Sequence, residues 1–164
     1  MNDSLMPARL DLPCDIAPYV PHRLGMCLLD TLLAVGDEHL HARVVPQPDD
    51  LFATPDGIPG WVGLEWLAQA VAAWAGVQSV TSGDTPKIGF LLGTRRYQCQ
   101  QPFFNFDQPI RIEVGLDFRA DNGLGAFQGR LLDAQQQLIA NATLNVFQPD
   151  TQQALEMMQQ GKTQ

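Results

Sequence analysis

Between Pro59 and Val80 the chain is apolar almost all the way round a helical wheel, and Glu65, Gln69 and Gln78 are the polar side chains that interrupt it before Ser79. A helix of that kind is enclosed by the rest of its fold. Ahead of it, Glu38 to Val45 alternates, with Leu40, Ala42 and Val44 on one side and His39, His41 and Arg43 on the other. That is the period of a strand with one buried face. The apolar run from Gly25 to Val35 fits a buried strand or a short helix, because periodicity does not separate the two. Behind the helix, Ser82-Gly83-Asp84-Thr85-Pro86 is a strong stop. The pattern then turns to strands: Ile88 to Gln98, then Ile110, Ile112, Val114, Leu116 and Phe118 as one inward set. An Asn122-Gly123 turn leads into Leu124 to Leu132, and Leu138, Ala140, Ala142, Leu144 and Val146 mark a last strand. Asp150 or Thr151 caps a short final helix over 150–161, and residues 1–20, with Pro7, Pro13 and Pro18, read as an irregular lead-in.

One long helix early, with one or two strands before it and about four antiparallel strands after it, specifies an α+β chain whose sheet wraps the helix, since only a sheet face could cover it. The 164 residues, 45% hydrophobic, are expected to form a single domain over 1–164. A sheet rolled round one helix leaves an open edge, and edges invite pairing with a second chain, so a dimer is expected. The formal charge of −8 opposes a nucleic-acid partner. Cys14, Cys27 and Cys99 are odd in number and widely spaced, which suggests neither a disulfide framework nor a zinc motif. No metal or organic cofactor is indicated. The first residues carry Asp3, Arg9 and Asp11 and no apolar signal-like stretch, and the long helix holds a Glu and two Gln with no basic flank. The expectation is a cytoplasmic protein without membrane insertion.

Glu65 then needs an explanation, because a carboxylate inside such a helix is costly unless it is paired, hydrogen-bonded or neutral. Gln69 lies four residues on, hence on the same helix face one turn away. The functional reading is a catalytic carboxylate oriented by Gln69; the plainer one is a carboxylate satisfied by hydrogen bonds to a neighbouring loop.

Four stretches resemble the hotdog-fold 3-hydroxyacyl-[acyl-carrier-protein] dehydratases and cover most of residues 18–147. Pro21-His22-Arg23 followed by Met26-Cys27-Leu28-Leu29-Asp30 is similar to the family's "PHR…xLLxD" opening. Pro59-Gly60-Trp61-Val62-Gly63-Leu64-Glu65-Trp66-Leu67-Ala68-Gln69 resembles its "PGxxxxE/DxxAQ" helix start, with the acidic residue and the glutamine in register. Arg95-Arg96-Tyr97, leading through Pro102 and Asp107-Gln108 to Ile110–Val114, is similar to the "R/K-F-x-x-P-V-x-P-G-D" strand pair, and Gly125–Gly129 with Ala140–Val146 matches the last hairpin. The common members carry a catalytic histidine in an "H-F-P-G-x-P" loop. Here that loop is Leu51-Phe52-Ala53-Thr54-Pro55-Asp56-Gly57-Ile58, shortened and without histidine. The variant Ile58-Pro59-Gly60-Trp61-Val62-Gly63-Leu64-Glu65, together with Pro21-His22-Arg23, resembles the divergent dehydratase-like branch associated with aryl-polyene lipid clusters.

The resemblance implies a hotdog fold and the dehydration of a 3-hydroxyacyl thioester, on acyl carrier protein or CoA, to the trans-2-enoyl thioester. Such a reaction needs a base for the C2 proton and an acid or polar group for the departing C3 hydroxyl. It also needs donors for the thioester carbonyl, which a helix N-terminus supplies. By resemblance the N–H of Gly60 holds that carbonyl, Glu65 takes the hydroxyl side and Gln69 orients it. With the loop histidine absent, His22 ranks first as base; His39 and His41 lie on the polar face of a strand. Trp61, at the helix mouth, is the tryptophan placed to line a substrate channel, while Trp66 and Trp74 read as core or dimer packing. Arg95, Arg96 and Arg23 are either a solvated set or contacts for the pantetheine phosphate or an acidic carrier protein. Two alternatives stay open: a hotdog acyl-thioesterase, and a non-catalytic hotdog subunit paired with an active dehydratase. The quaternary expectation is a homodimer or a hotdog heterodimer.

Overall fold

The computed structural model describes residues 10–20, 26–82 and 90–147; His22, Arg23 and the expected helix over 150–161 lie outside them. Among the described residues the elements run β1 (Cys14–Asp15), β2 (Thr31–Val35), β3 (His39–Val44), β4 (Ile58–Pro59), α1 (Val62–Ser82), β5 (Phe90–Cys99), β6 (Phe103–Phe104), β7 (Ile110–Arg119), β8 (Leu124–Leu132) and β9 (Leu138–Phe147). Seven strands form one antiparallel sheet in the order β1-β2-β3-β7-β8-β9-β5, and β4 pairs with β6 separately. The ambiguous run after Gly25 therefore contains a strand, because β2 has a ladder on both sides, to β1 and to β3.

The alternation read from the chain sets the two faces of the sheet. Leu40, Ala42 and Val44 of β3, Ile110, Ile112 and Val114 of β7, Phe127 and Leu131 of β8, and Ala140, Ala142 and Leu144 of β9 are all buried together with α1. Each such side chain fully removed from water contributes about 1.5–3 kcal/mol when it is a Val, Leu, Ile or Phe. The inward set on β7 stops short of its expected end. The register with β8 shifts between Leu116 and Phe118, so Phe118 leaves the core and is exposed. A bulge adds one unpaired residue and breaks the period of two.

The lead-in is likewise not irregular throughout. Cys14–Asp15 pairs with β2, and Ile16 and Val20, on either side of a 3-10 turn at Ala17–Tyr19, are in the core. The helix begins three residues later than its apolar pattern does, because Ile58 and Pro59 are paired with Phe104 and Phe103. It ends at Ser82, two residues past the expected Val80.

The sheet covers α1 on one side only. Val62, Trp66, Leu67, Ala70, Ala73, Trp74 and Val77 are buried, whereas Leu64, Glu65, Ala68, Ala72, Ala75 and Gly76 are half-buried and Trp61 is exposed. These positions recur at spacings of three and four, which places them on one helix face. The expectation of a fully enclosed helix is corrected here: one chain encloses about half of it, and Glu65 lies on the other half. Among the described residues no helix is long and apolar enough to cross a membrane.

Candidate active site

The mouth of α1 is built by three segments meeting at Gly60. The chain after β5 turns back at Gln101 and Pro102, and the Gly60 N–H donates to the Pro102 carbonyl at 2.9 Å. A Cβ on Gly60 would lie 2.6 Å from the Gln101 carbonyl oxygen and 3.3 Å from the Cys99 sulfur. The glycine is thus required by a close approach of the protein's own backbone. The substrate-facing role expected for Gly60 is corrected accordingly: its N–H is committed, and its open side is filled. The first-turn donors left over are the N–H groups of Trp61 and Val62, which find no acceptor among the described residues. Free donors at a helix start attract a developing negative charge.

From the other side Tyr97 reaches the same turn. Its hydroxyl donates to the Gly60 carbonyl at 2.5 Å, and that carbonyl also accepts the Gly63 N–H at 3.2 Å. Burial, reinforced by the neighbouring Cys99 thiol, pushes the Tyr97 hydroxyl well above the usual phenol range, so it remains a donor. Tyr97 and Cys99 belong to the quoted strand, but the residue types carried no signal for a role at the mouth; only the fold brings them there.

Two turns into the helix, Gln69 is fully buried and its amide is fully used. The side-chain oxygen accepts the Leu28 N–H at 2.8 Å, and the nitrogen donates to the Met26 carbonyl at 2.8 Å and to the Glu65 carboxylate at 3.3 Å. Gln69 therefore fixes Glu65 from the helix side and ties the main chain at 26–28 beside it. Glu65 itself is half-buried, on the helix face the sheet does not cover.

Trp61 is 59% exposed and meets the Phe52 ring edge-on, with centroids 5.1 Å apart. Phe52 has a left-handed backbone (φ 75°), unusual for a large side chain, and with Leu51 it presents an apolar surface next to the mouth. Trp66 meets Phe104 at a tilt and Trp74 meets Phe127 edge-on within the core.

Arg95 and Arg96 are both exposed. The expected alternation between them is disturbed, since the register of β5 with β9 shifts between Arg95 and Gln98 and Arg96 is left-handed at φ 58°. They directly precede Tyr97 on a strand at the edge of the sheet.

His39 and His41 are on the sheet face opposite α1, as their alternation with buried Leu40 and Ala42 requires. His41 Nδ1 is 2.8 Å from an Arg111 nitrogen, and Glu113 takes Arg111 at 2.9 Å and Arg130 at 2.5 Å. Burial pushes the Glu113 carboxyl up, and the hydrogen bonds from Arg130 and Arg111 more than reverse this, leaving it below its ordinary value. Burial pulls His41 down, with Arg111, His39 and Arg130 adding and Glu113 opposing. This network is remote from the helix mouth, so neither histidine is a base for chemistry there. A cavity of about 240 Å³, lined by Gln101, Asn105, Gln108, Asp133 and Gln135 over Ile110 and Ile139, contains none of the expected site residues.

A family model described as ApeP-like, ApeP dehydratase, matches residues 14–159. Among solved structures, a chain of the dehydratase heterocomplex ApeI:P from Xenorhabdus doucetiae is 27% identical, with a TM-score of 0.76, covering 91% of this chain and 99% of that one. Two further likenesses show the fold alone. S. sahachiroi AziG has 14% identity and a TM-score of 0.58, covering 72% of this chain and 89% of its own. The E. coli PaaI protein from the phenylacetic acid degradation operon has 9% identity and a TM-score of 0.56, covering 71% and 80%. These neighbours make the fold a hotdog. No curated protein sequence matches the chain.

Proposed function

Because the chain belongs to the ApeP-like dehydratase family, we propose that it dehydrates a 3-hydroxyacyl thioester, carried on acyl carrier protein or CoA, to the trans-2-enoyl thioester. The observation that carries this reading is the pairing, on one helix face, of uncommitted first-turn N–H groups with a carboxylate one turn on, held by a buried glutamine. The N–H of Trp61, in place of that of Gly60, takes the thioester oxygen as negative charge develops on it. Glu65 protonates or positions the leaving C3 hydroxyl. His22 removes the C2 proton; Met26, four residues after it, has its carbonyl held by Gln69 next to Glu65. Arg95 and Arg96 offer charge for a pantetheine phosphate or an acidic carrier protein.

The working unit in this reading is a pair of hotdog chains. Glu65 lies on a half-covered helix face and β5 is an edge strand, so a second chain would close the site. That chain is a second copy or a different hotdog subunit; the structural relative at 27% identity is described as part of a heterocomplex. A second reading, a subunit that completes another chain's site without turning over itself, is favoured by one observation: the loop 51–58 has no histidine and places Leu51 and Phe52 at the mouth.

Incubating the protein with a 3-hydroxyacyl carrier-protein thioester and weighing the products separates these readings. Loss of water supports the dehydratase, free acid a thioesterase, and no change a non-catalytic subunit. In the first case Glu65→Gln is expected to lower turnover by about 10²–10⁴-fold, the usual weight of a positioned acid, with an unchanged circular dichroism spectrum. Full turnover by Glu65→Gln would remove Glu65 from the mechanism.

A further inference from the structure

We infer that Tyr97 is a positioning residue for this site: by holding the Gly60 carbonyl it aims and strengthens the Trp61 N–H that meets the thioester oxygen. The inference rests on the dehydratase reading above. The Gly60 C=O and the Trp61 N–H are two ends of one planar, trans peptide unit, so whatever fixes the first orients the second. Two donors fix it, the Tyr97 hydroxyl at 2.5 Å and the Gly63 N–H at 3.2 Å. The preceding peptide is held by its own bond from Gly60 to Pro102. The Trp61 N–H therefore points opposite to the Gly60 carbonyl, away from the body of the helix, and has no acceptor among the described residues. Trp61 and Glu65 are four residues apart and share a helix face.

A further observation separates this role from mere packing. The Gly60 carbonyl already has the Gly63 N–H as a partner, so a phenylalanine at position 97 would fill the same space and leave no orphaned acceptor. The hydroxyl is additional to what the fold needs. Gly63 leaves room for it, since a Cβ there would collide with the Tyr97 oxygen as well as with a Leu131 methyl. A hydrogen bond to a peptide carbonyl polarises the unit and makes its N–H a stronger donor. The raised range of the buried hydroxyl keeps it protonated throughout.

Tyr97→Phe tests this in the full chain with two readouts, turnover in the assay above and the amide ¹⁵N and ¹H resonances of labelled protein. Removing a direct oxyanion donor costs about 10²–10³-fold, so weakening one at second hand is expected to lower kcat about 10-fold, with KM and the melting temperature nearly unchanged. The Trp61 amide ¹⁵N resonance is expected to move upfield by more than any other amide in the second and third turns of α1. Unchanged kcat, or a loss of kcat that tracks a fall in melting temperature, would overturn the positioning role. If the wild-type chain shows no turnover, the dehydratase reading fails instead, and the amide decides alone: a Trp61 resonance unmoved by Tyr97→Phe overturns the hold on the peptide.

Discussion

At Gln69 one buried amide makes three hydrogen bonds, and two of them reach across more than forty residues of chain to Met26 and Leu28. Gln69→Leu keeps the volume and orphans a backbone N–H and a backbone carbonyl, at about 1–3 kcal/mol for each group left without water. Urea denaturation should show the midpoint falling at an unchanged slope; an unmoved midpoint would mean that water replaces both bonds. The outer-face network makes a second prediction at this scale, and its sign follows from two depressed values. His41 titrates below its ordinary 6.5 in the folded chain, so its contribution is complete above about 6.5 and is lost as the pH falls from there through its folded value. Glu113 titrates below its ordinary 4.5, so its contribution persists further and disappears as the pH falls through its folded value. Stability measured by denaturation from pH 8 downwards should therefore decline in two stages. His41→Gln should flatten the upper stage and leave the lower one, and a wild-type curve flat to pH 5 would contradict the assignment.

For the central helix, the relevant constraint is what crosses it. Gly76 lies where the 3-10 turn passes, and a Cβ there would collide with the Tyr19 carbonyl oxygen. In an open helix Gly→Ala stabilises by roughly 0.5–1 kcal/mol. At Gly76 the obstacle is backbone, which cannot swing aside as a side chain does, so Gly76→Ala is expected to destabilise by about 1–3 kcal/mol, the usual cost of overpacking. A rise in melting temperature would show that the Ala17–Tyr19 turn gives way. The far half of the helix is held by another device. Trp74 and Gln78 both donate to the Gly36 carbonyl, at 3.2 and 3.0 Å, and so clamp the β2–β3 turn to α1. The helix thus has a tethered mouth, a tethered waist at Gln69 and a tethered far end.

For the molecule as a whole, the half-covered helix face and the open β5 edge predict association. Sedimentation should give the mass of two hotdog chains, and Ala72→Lys, which adds a charge in the middle of that face, should split the pair while leaving the chain folded. A monomeric wild-type protein that binds no second hotdog chain would contradict the proposed working unit.

The sequence by itself determined β3, β5, β7, β8 and β9, the long helix and the α+β class, because those follow from periods of two and 3.6 that a single chain carries locally. It also located Glu65 and Gln69 four apart on one helix face, and the stop after the helix. What it could not determine is which neighbours meet across the fold. The commitment of the Gly60 N–H to Pro102, the arrival of Tyr97 at the same turn, the grip of Gln69 on Met26 and Leu28, and the meeting of His41 with Arg111 all join residues distant in the chain. Phe118 shows the same limit within one strand: its residue type continues the inward pattern, but a bulge set by pairing with β8 turns it out. Local pattern encodes which face a side chain shares; only closure of the sheet on the helix decides what stands opposite it.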